Sequence, residues 1–341
     1  MHVVPTLLQD ILIFIAFFWK PDRLPTLILQ LNSFMRYNTF TNISIVITTN
    51  KPANLINALN LYMMDCSKIE IRDSKLSRKD SFDLTFEHRL VIEEKLKSKN
   101  YTAYMYTEDD HMITPQGLVS WAIDTELLEP LGFVRGFLRS EYCGEGQQHL
   151  FDYAFAPKDI SLTKGRPKVD SSYKPTTSSD ISFESSLQRV SNKYGGSELC
   201  PSTGGQGSAI YTPCPIHTQF FSPEYFHQGM WLLSHTQLIA FMRAKMWDIN
   251  YCKTYKHSMY NWGPRERAAS YNLLINIPPG FQHNKVIPYY TINNKHILSR
   301  LGVLYHLSGN YCHFNKNKDR SYIYDSSHNY SVGIHSDSDS G

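Results

Sequence analysis

No apolar run in this chain of 341 residues exceeds nine, and the longest is Ile11–Trp19 (ILIFIAFFW). A membrane-crossing helix needs about 20 such residues, so the run is read as a buried strand. Met1–Asp10 lacks the early positive charge of a secretory signal. The expected compartment is the cytoplasm by default, or the Golgi or ER lumen if an anchor is missing from this chain. Sequons at Asn42, Asn100 and Asn329 fit either, because N-x-S/T is common by chance. Cysteine is scarce: six residues without CxxC spacing, which argues against a zinc module. Free thiols are expected in a reducing compartment, and a Cys200–Cys214 pairing is open in an oxidising one. An excess of one charge is also missing. The net charge is +3 with no dense Lys/Arg stripe, so nucleic acid is not an expected partner. No GxSxG, HExxH or GxxxxGK[ST] occurs, no repeat is visible, and Gly204-Gly205-Gln206-Gly207 has no strand before it to make a phosphate loop.

What is present is a globular composition, 42% hydrophobic and 19% charged, in a chain long enough to bury a sizeable core. The 22 Tyr and 18 Phe would suit flat polar ligands and cores equally. After the first strand, Leu24–Tyr37 has apolar residues at helical spacing. Asn42–Thr49 is a β-branched strand ending at the breaker Asn50-Lys51-Pro52. Helix Ala53–Met64, strand Lys68–Arg72, helix Phe86–Leu96 and strand Tyr101–Thr107 complete a β/α alternation. Such alternation predicts a mostly parallel sheet covered on both faces, with ligands beyond the carboxyl ends of its strands. Thr114-Pro115 opens a helix to about Glu129, and Phe133–Tyr142 reads as one strand. Residues 157–207 are rich in Ser, Thr, Lys, Gly and Pro and are expected to form a mobile insertion. Phe226–Leu233 precedes a Ser234/Gln237 capping box opening helix Thr236–Met246. A further helix over Arg265–Leu274, strands Lys285–Tyr290 and Val303–His306, and a poorly ordered polar tail over 313–341 are expected after it.

The segment Tyr101–Met112, YTAYMYTEDDHM, runs a buried strand into Glu108, Asp109 and Asp110. Three adjacent like charges are costly unless they face water or a cation. An acidic loop or helix cap would meet that need, but this cluster falls on the ligand rim of the predicted sheet. Hard divalent cations such as Mn²⁺ or Mg²⁺ take carboxylate and phosphate oxygens. Strand alternation would send Glu108 and Asp110 to one side and Asp109 to the other.

YMYTEDD, about one hundred residues into a β/α half, resembles the DxD motif of GT-A-fold glycosyltransferases. In those enzymes the motif holds a divalent metal and the diphosphate of a nucleotide-sugar. FWKPDRLPTLILQL stands before it, after the first strand, and GFLRSEY, GMWLLSHTQL, NWGPRERAAS, GFQHNKVIPYY and YHLSGNY follow it in order. Together they resemble a group of GT-A-type transferases with an LEDD-like motif, over most of residues 11–312 apart from the insertion. The resemblance implies a GT-A-like α/β/α sandwich over 1–312 and a metal-dependent transfer of a sugar to a hydroxyl acceptor on a glycan or glycoconjugate.

The resemblance further implies Asp110 as the direct metal ligand, Glu108 and Asp109 at the ribose or second-shell waters, and His306 completing the metal and diphosphate site. A lone histidine is equally a satisfied core residue. Glu266, at a helix start, would be the catalytic base of an inverting reaction, although an ion pair with Arg265 or Arg267 would explain it as well. Many relatives have Asp at this position. Arg265, Arg267, Arg89 and Arg23 are donor-site candidates, each with a surface-charge alternative. Trp19 and Asn50 stand where the base would be held. Gly229, Trp231 and Trp262 are acceptor-side candidates, the tryptophans with core packing as the competing account. A nucleotidyltransferase uses similar carboxylates but is expected to carry a Gly-rich loop after its first strand, and WKPDRLP has no glycine. A non-catalytic sugar-binding protein of the same fold is the third alternative.

Overall fold

Strand β1, Asp10–Phe17, is apolar on both faces, and the two sets of side chains enter different cores. Ile11, Ile13, Ile15 and Phe17 join one cluster with Leu27, Leu31 and Phe34 of α1 (Leu24–Met35) and Leu55 and Leu59 of α2 (Pro52–Leu61). Leu12, Phe14 and Ala16 join a second with Val91 and Ile92 of α4 (Glu87–Leu96). That division is what a strand covered by helices on both faces requires. The structure, a computed structural model, describes residues 5–64, 66–74, 81–142, 148–150, 198–201, 211–214, 219–221, 229–254, 285–292, 295–298, 302–307 and 322–324.

β1 pairs in parallel with β2 (Asn42–Thr49) and β4 (Ala103–Glu108), and β2 pairs in parallel with β3 (Ile69–Asp73). β12 (Met230–Ser234) adds to β4 antiparallel, giving the order β12-β4-β1-β2-β3. The protein is thus mixed α/β with a mostly parallel central sheet, as the alternation predicts. The short α3 (Ser81–Leu84) precedes α4. After the turn at Asp109-Asp110 come β5 (His111–Met112) and α5 (Pro115–Leu128). The Thr114 hydroxyl accepts from Gly117 N at 3.0 Å, and Pro115 occupies the first turn of the helix.

The single strand expected over Phe133–Tyr142 is two. β6 (Val134–Arg135) pairs with β13 (Lys285–Ile292), whereas β7 (Leu138–Tyr142) pairs with β15 (Val303–His306). The break at Gly136-Phe137 lets the chain change sheets, and Arg135 anchors it through Nε to Asp124 Oδ2 at 3.1 Å. β15 also pairs with β5, and β7 with β8 (Gln148–Leu150).

β9 (Glu198–Pro201) lies inside the expected insertion and pairs with β10 (Tyr211–Cys214). That register sets Cys200 opposite Thr212 and Cys214 opposite Glu198, so the two cysteines are not directly opposed. β11 (Gln219–Phe221) and β14 (Lys295–Leu298) flank β13. β16 (Tyr322–Tyr324) pairs with β8, so the tail expected to lack order contributes three paired residues. The remaining stretches of the insertion and tail, and the helix expected over Arg265–Leu274, lie outside the described residues. The capping box at Ser234 and Gln237 forms as read and opens α6 (His235–Met242), which is followed by α7 (Ile249–Thr254). No helix among the described residues is long and apolar enough to cross a membrane.

Candidate metal centre

The carboxyl ends of β1, β2 and β4 align at one edge, with Phe17 opposite Thr49 and Ala16 opposite Glu108. Beyond this edge the chain from β1 makes one 3-10 turn, Pro21–Arg23, and enters α1. The turn puts the Arg23 guanidinium over the acidic segment. Its Nη2 pairs with Asp109 Oδ1 and lies 3.2 Å from Asp110 Oδ2. Asp109 and Asp110 therefore converge on one cation rather than pointing apart. β4 ends at Glu108 and the two aspartates form a turn, so the alternation of a strand does not extend to them.

β15 brings the remaining groups. His306 pairs across the ladder with His111 of β5, their ring centroids 4.8 Å apart, and Leu307 N donates to Asp110 O at 2.7 Å. His306 Nε2 lies 3.2 Å from Asp110 Oδ2, and its Nδ1 pairs with Glu141 Oε1 from β7. His111 Nδ1 lies 3.2 Å from Asp110 Oδ1. Gln30 of α1 donates from Nε2 to Glu108 O at 2.6 Å, tying the helix to the strand end. The cluster is closed: Asp109 is 2% exposed, Asp110 3%, His111 2% and His306 7%, while the Arg23 side chain is 32% exposed.

Electrostatics divides the two aspartates. Burial and the neighbouring Asp110 push the Asp109 carboxyl well above its ordinary pKa of 3.8, against the pull of Arg23. Burial acts on Asp110 in the same direction, but His111, His306 and Arg23 outweigh it and hold Asp110 low. The charged form is thus favoured at Asp110 and disfavoured at Asp109. Burial would lower His306, yet its place between Asp110 and Glu141 raises it to about 9. The Arg23 pKa rises although burial opposes it, because four carboxylates, Asp109, Asp110, Glu108 and Asp22, lie nearby.

Asp110, His111 and His306 present ligand atoms within 4.8 Å of one another and could hold a metal ion. Separations of 3.2 Å from Asp110 to each histidine suit ligands sharing one ion at bonds of about 2.1 Å. Asp109 Oδ2 is buried without a hydrogen-bond partner, which leaves acceptor capacity at the edge of the cluster. The donor set fits a divalent ion. Glu141 is placed to orient His306 from behind, the usual outer partner of a ligating imidazole.

Of the expected ligands, Asp110 and His306 meet, but Glu108 is not among the three. His111 takes its place. The Glu108 carboxyl instead packs against Gly229: a Cβ there would lie 2.8 Å from Glu108 Cδ and 2.5 Å from His111 Cε1. Gly229, expected on the acceptor side, permits close approach of the chain's own side chains at the metal edge. Trp19 and Asn50 meet at the rim, where Trp19 N donates to Asn50 Oδ1 at 2.8 Å.

Two expectations are corrected. Arg89 is buried in the second core, donating to Met246 O at 2.6 Å and Trp247 O at 3.0 Å with its guanidinium beside the Trp247 ring, so it does not reach the rim. Trp231 is likewise core, packed against Phe241 and His88, because its position in β12 faces α4 and α6. Trp262, Arg265, Glu266 and Arg267 lie outside the described residues. His111 and Glu141 were missed although both stand in quoted motifs, directly after EDD and within GFLRSEY. Only the β5–β15–β7 pairing brings them to His306. No protein-family model matches the chain, and no curated protein matches it.

Proposed function

We propose that the chain is a metal-dependent glycosyltransferase of the GT-A type, moving a sugar from a nucleotide diphosphate-sugar to a hydroxyl on a glycan or glycoconjugate. The observation that supports this reading best is the meeting of Asp110, His111 and His306 beside Arg23 at the carboxyl edge of the parallel sheet. Ligand sites of open α/β sheets occupy that edge. Two imidazoles and one carboxylate suit Mn²⁺ better than Mg²⁺, which prefers oxygen ligands. Such an ion, held by these three side chains, would offset charge on the departing diphosphate.

The chain's own residues supply the rest. Glu141 holds His306 so that Nε2 faces Asp110. Trp19 and Asn50, joined at the rim, would hold the nucleotide base, and Arg23 would meet phosphate oxygens. Glu266 would take the proton of the acceptor hydroxyl, which makes the reaction inverting. Arg265 and Arg267 would steady the diphosphate, and Trp262 would stack on the acceptor. The test is thermal shift with UDP- and GDP-sugars, with and without Mn²⁺, followed by nucleotide-sugar hydrolysis. We expect Mn²⁺-dependent stabilisation and hydrolysis, both lost in Asp110→Asn. Turnover of nucleoside triphosphates instead would make the protein a nucleotidyltransferase. Wild-type protein without metal-dependent nucleotide binding would be a non-catalytic sugar-binding protein.

A further inference from the structure

Arg23 is partly open to solvent, whereas Asp109, Asp110, His111, Glu141 and His306 are buried. It stands at the end of a single 3-10 turn, on a long side chain that can leave the site while α1 stays in place. Its Nη2 and His306 Nε2 both lie 3.2 Å from the same oxygen, Asp110 Oδ2. A divalent ion shared by Asp110, His111 and His306 would therefore arrive next to a guanidinium. Like charges at contact distance in a poorly screened, buried site repel strongly. The two cations compete for one carboxylate.

We propose that Arg23 is the displaceable cation of this site, paired with Asp109 and Asp110 until a divalent ion takes Asp110, and that the ion's arrival turns the guanidinium outward to meet an anionic ligand. This rests on the metal-site reading above and adds an order of events to it: metal first, then diphosphate. While Arg23 is in place, the buried aspartates are charge-compensated without an ion. Once displaced, its planar fork is suited to bidentate contact with phosphate oxygens. Arg23 then acts as a positioning residue whose own ligand becomes available only in the metal-bound protein.

Two measurements on the full chain test this. First, Mn²⁺ alone is titrated into wild type, Arg23→Gln and Arg23→Lys, with free Mn²⁺ read by electron paramagnetic resonance and folding checked by circular dichroism. Arg23→Gln should bind Mn²⁺ about tenfold tighter or more, since removing a competing charge is worth at least one such step. Arg23→Lys, which keeps the charge, should stay close to wild type. Equal or weaker binding by Arg23→Gln overturns the proposal and leaves the metal site standing. Failure of every form to bind Mn²⁺ overturns both. Second, wild-type protein is labelled with phenylglyoxal and Arg23 is followed by peptide mass spectrometry, which needs no variant to fold. Mn²⁺ should speed labelling of Arg23 several-fold, and unchanged or slower labelling overturns displacement.

Discussion

At the residue scale, two positions carry consequences that their neighbours fix. His88 is fully buried against Tyr106 and Trp231, with Nδ1 donating to Thr85 O at 2.7 Å and Nε2 without a hydrogen-bond partner. Burial, and after it the charge of Arg89, hold its pKa well below the ordinary 6.5. The unfolded chain therefore takes up a proton that the folded protein refuses. The stability this secures is present above about pH 6.5 and is lost as pH falls, by at most about 1.4 kcal/mol per pH unit. Urea unfolding at pH 7 and pH 5 should show a steeper loss in wild type than in His88→Gln. Gly229 is the second case. Its Cβ would overlap His111 and Glu108, so Gly229→Ala should cost about 1–3 kcal/mol by overpacking. Because His111 is one of the things displaced, Mn²⁺ affinity should fall as well, which a titration beside the unfolding curve would show.

At the scale of elements, local signals were reliable where the interaction is local. Ser234 and Gln237 satisfy each other's backbone N–H groups within one turn, and the capping box was legible because both of its bonds are local, although Gln237 Nε2 also donates to Phe133 O at 3.1 Å. Ser234→Ala should cost about 1 kcal/mol, seen as a lower urea midpoint with unchanged slope. The strands β1 and β2 were legible for a related reason, since burial on both faces demands continuous apolar runs. The segment from Phe133 to Tyr142 was not. Its composition suits extended backbone throughout, and only partners far along the chain, β13 and β15, decide that it divides between two sheets. Arg89 and Trp231 failed similarly: a polar or aromatic side chain near the expected rim carries no mark of which face of its element is covered.

At the scale of the whole molecule, the site joins elements that are remote in sequence. Arg23 follows β1, Asp110 follows β4, Glu141 belongs to β7 and His306 to β15. An ion held by the folded protein and not by the unfolded chain raises stability by mass action, about 2.7 kcal/mol at a hundredfold excess over Kd. Mn²⁺ should therefore raise the unfolding temperature of wild type in a concentration-dependent way, and chelation should reverse the gain. The shift should vanish in His306→Ala, whereas Glu141→Gln, which leaves all three ligands in place and weakens only the support behind His306, should reduce it.

The sequence by itself determined the β/α alternation, the two-faced burial of the central strands, the helix caps at Thr114 and Ser234, and the position of the acidic segment at the carboxyl edge of the sheet. All of these follow from periodicity and near-neighbour chemistry, which are written along the chain. Only the tertiary structure decided which carboxylate meets which cation. Strand pairing set His111 opposite His306, a turn rather than a strand brought Asp109 and Asp110 to Arg23, and the absence of a Cβ at Gly229 left room for Glu108 and His111. The physical reason is that charge and coordination depend on distances of a few ångströms between residues up to about two hundred positions apart, and those distances exist only once the sheets have paired.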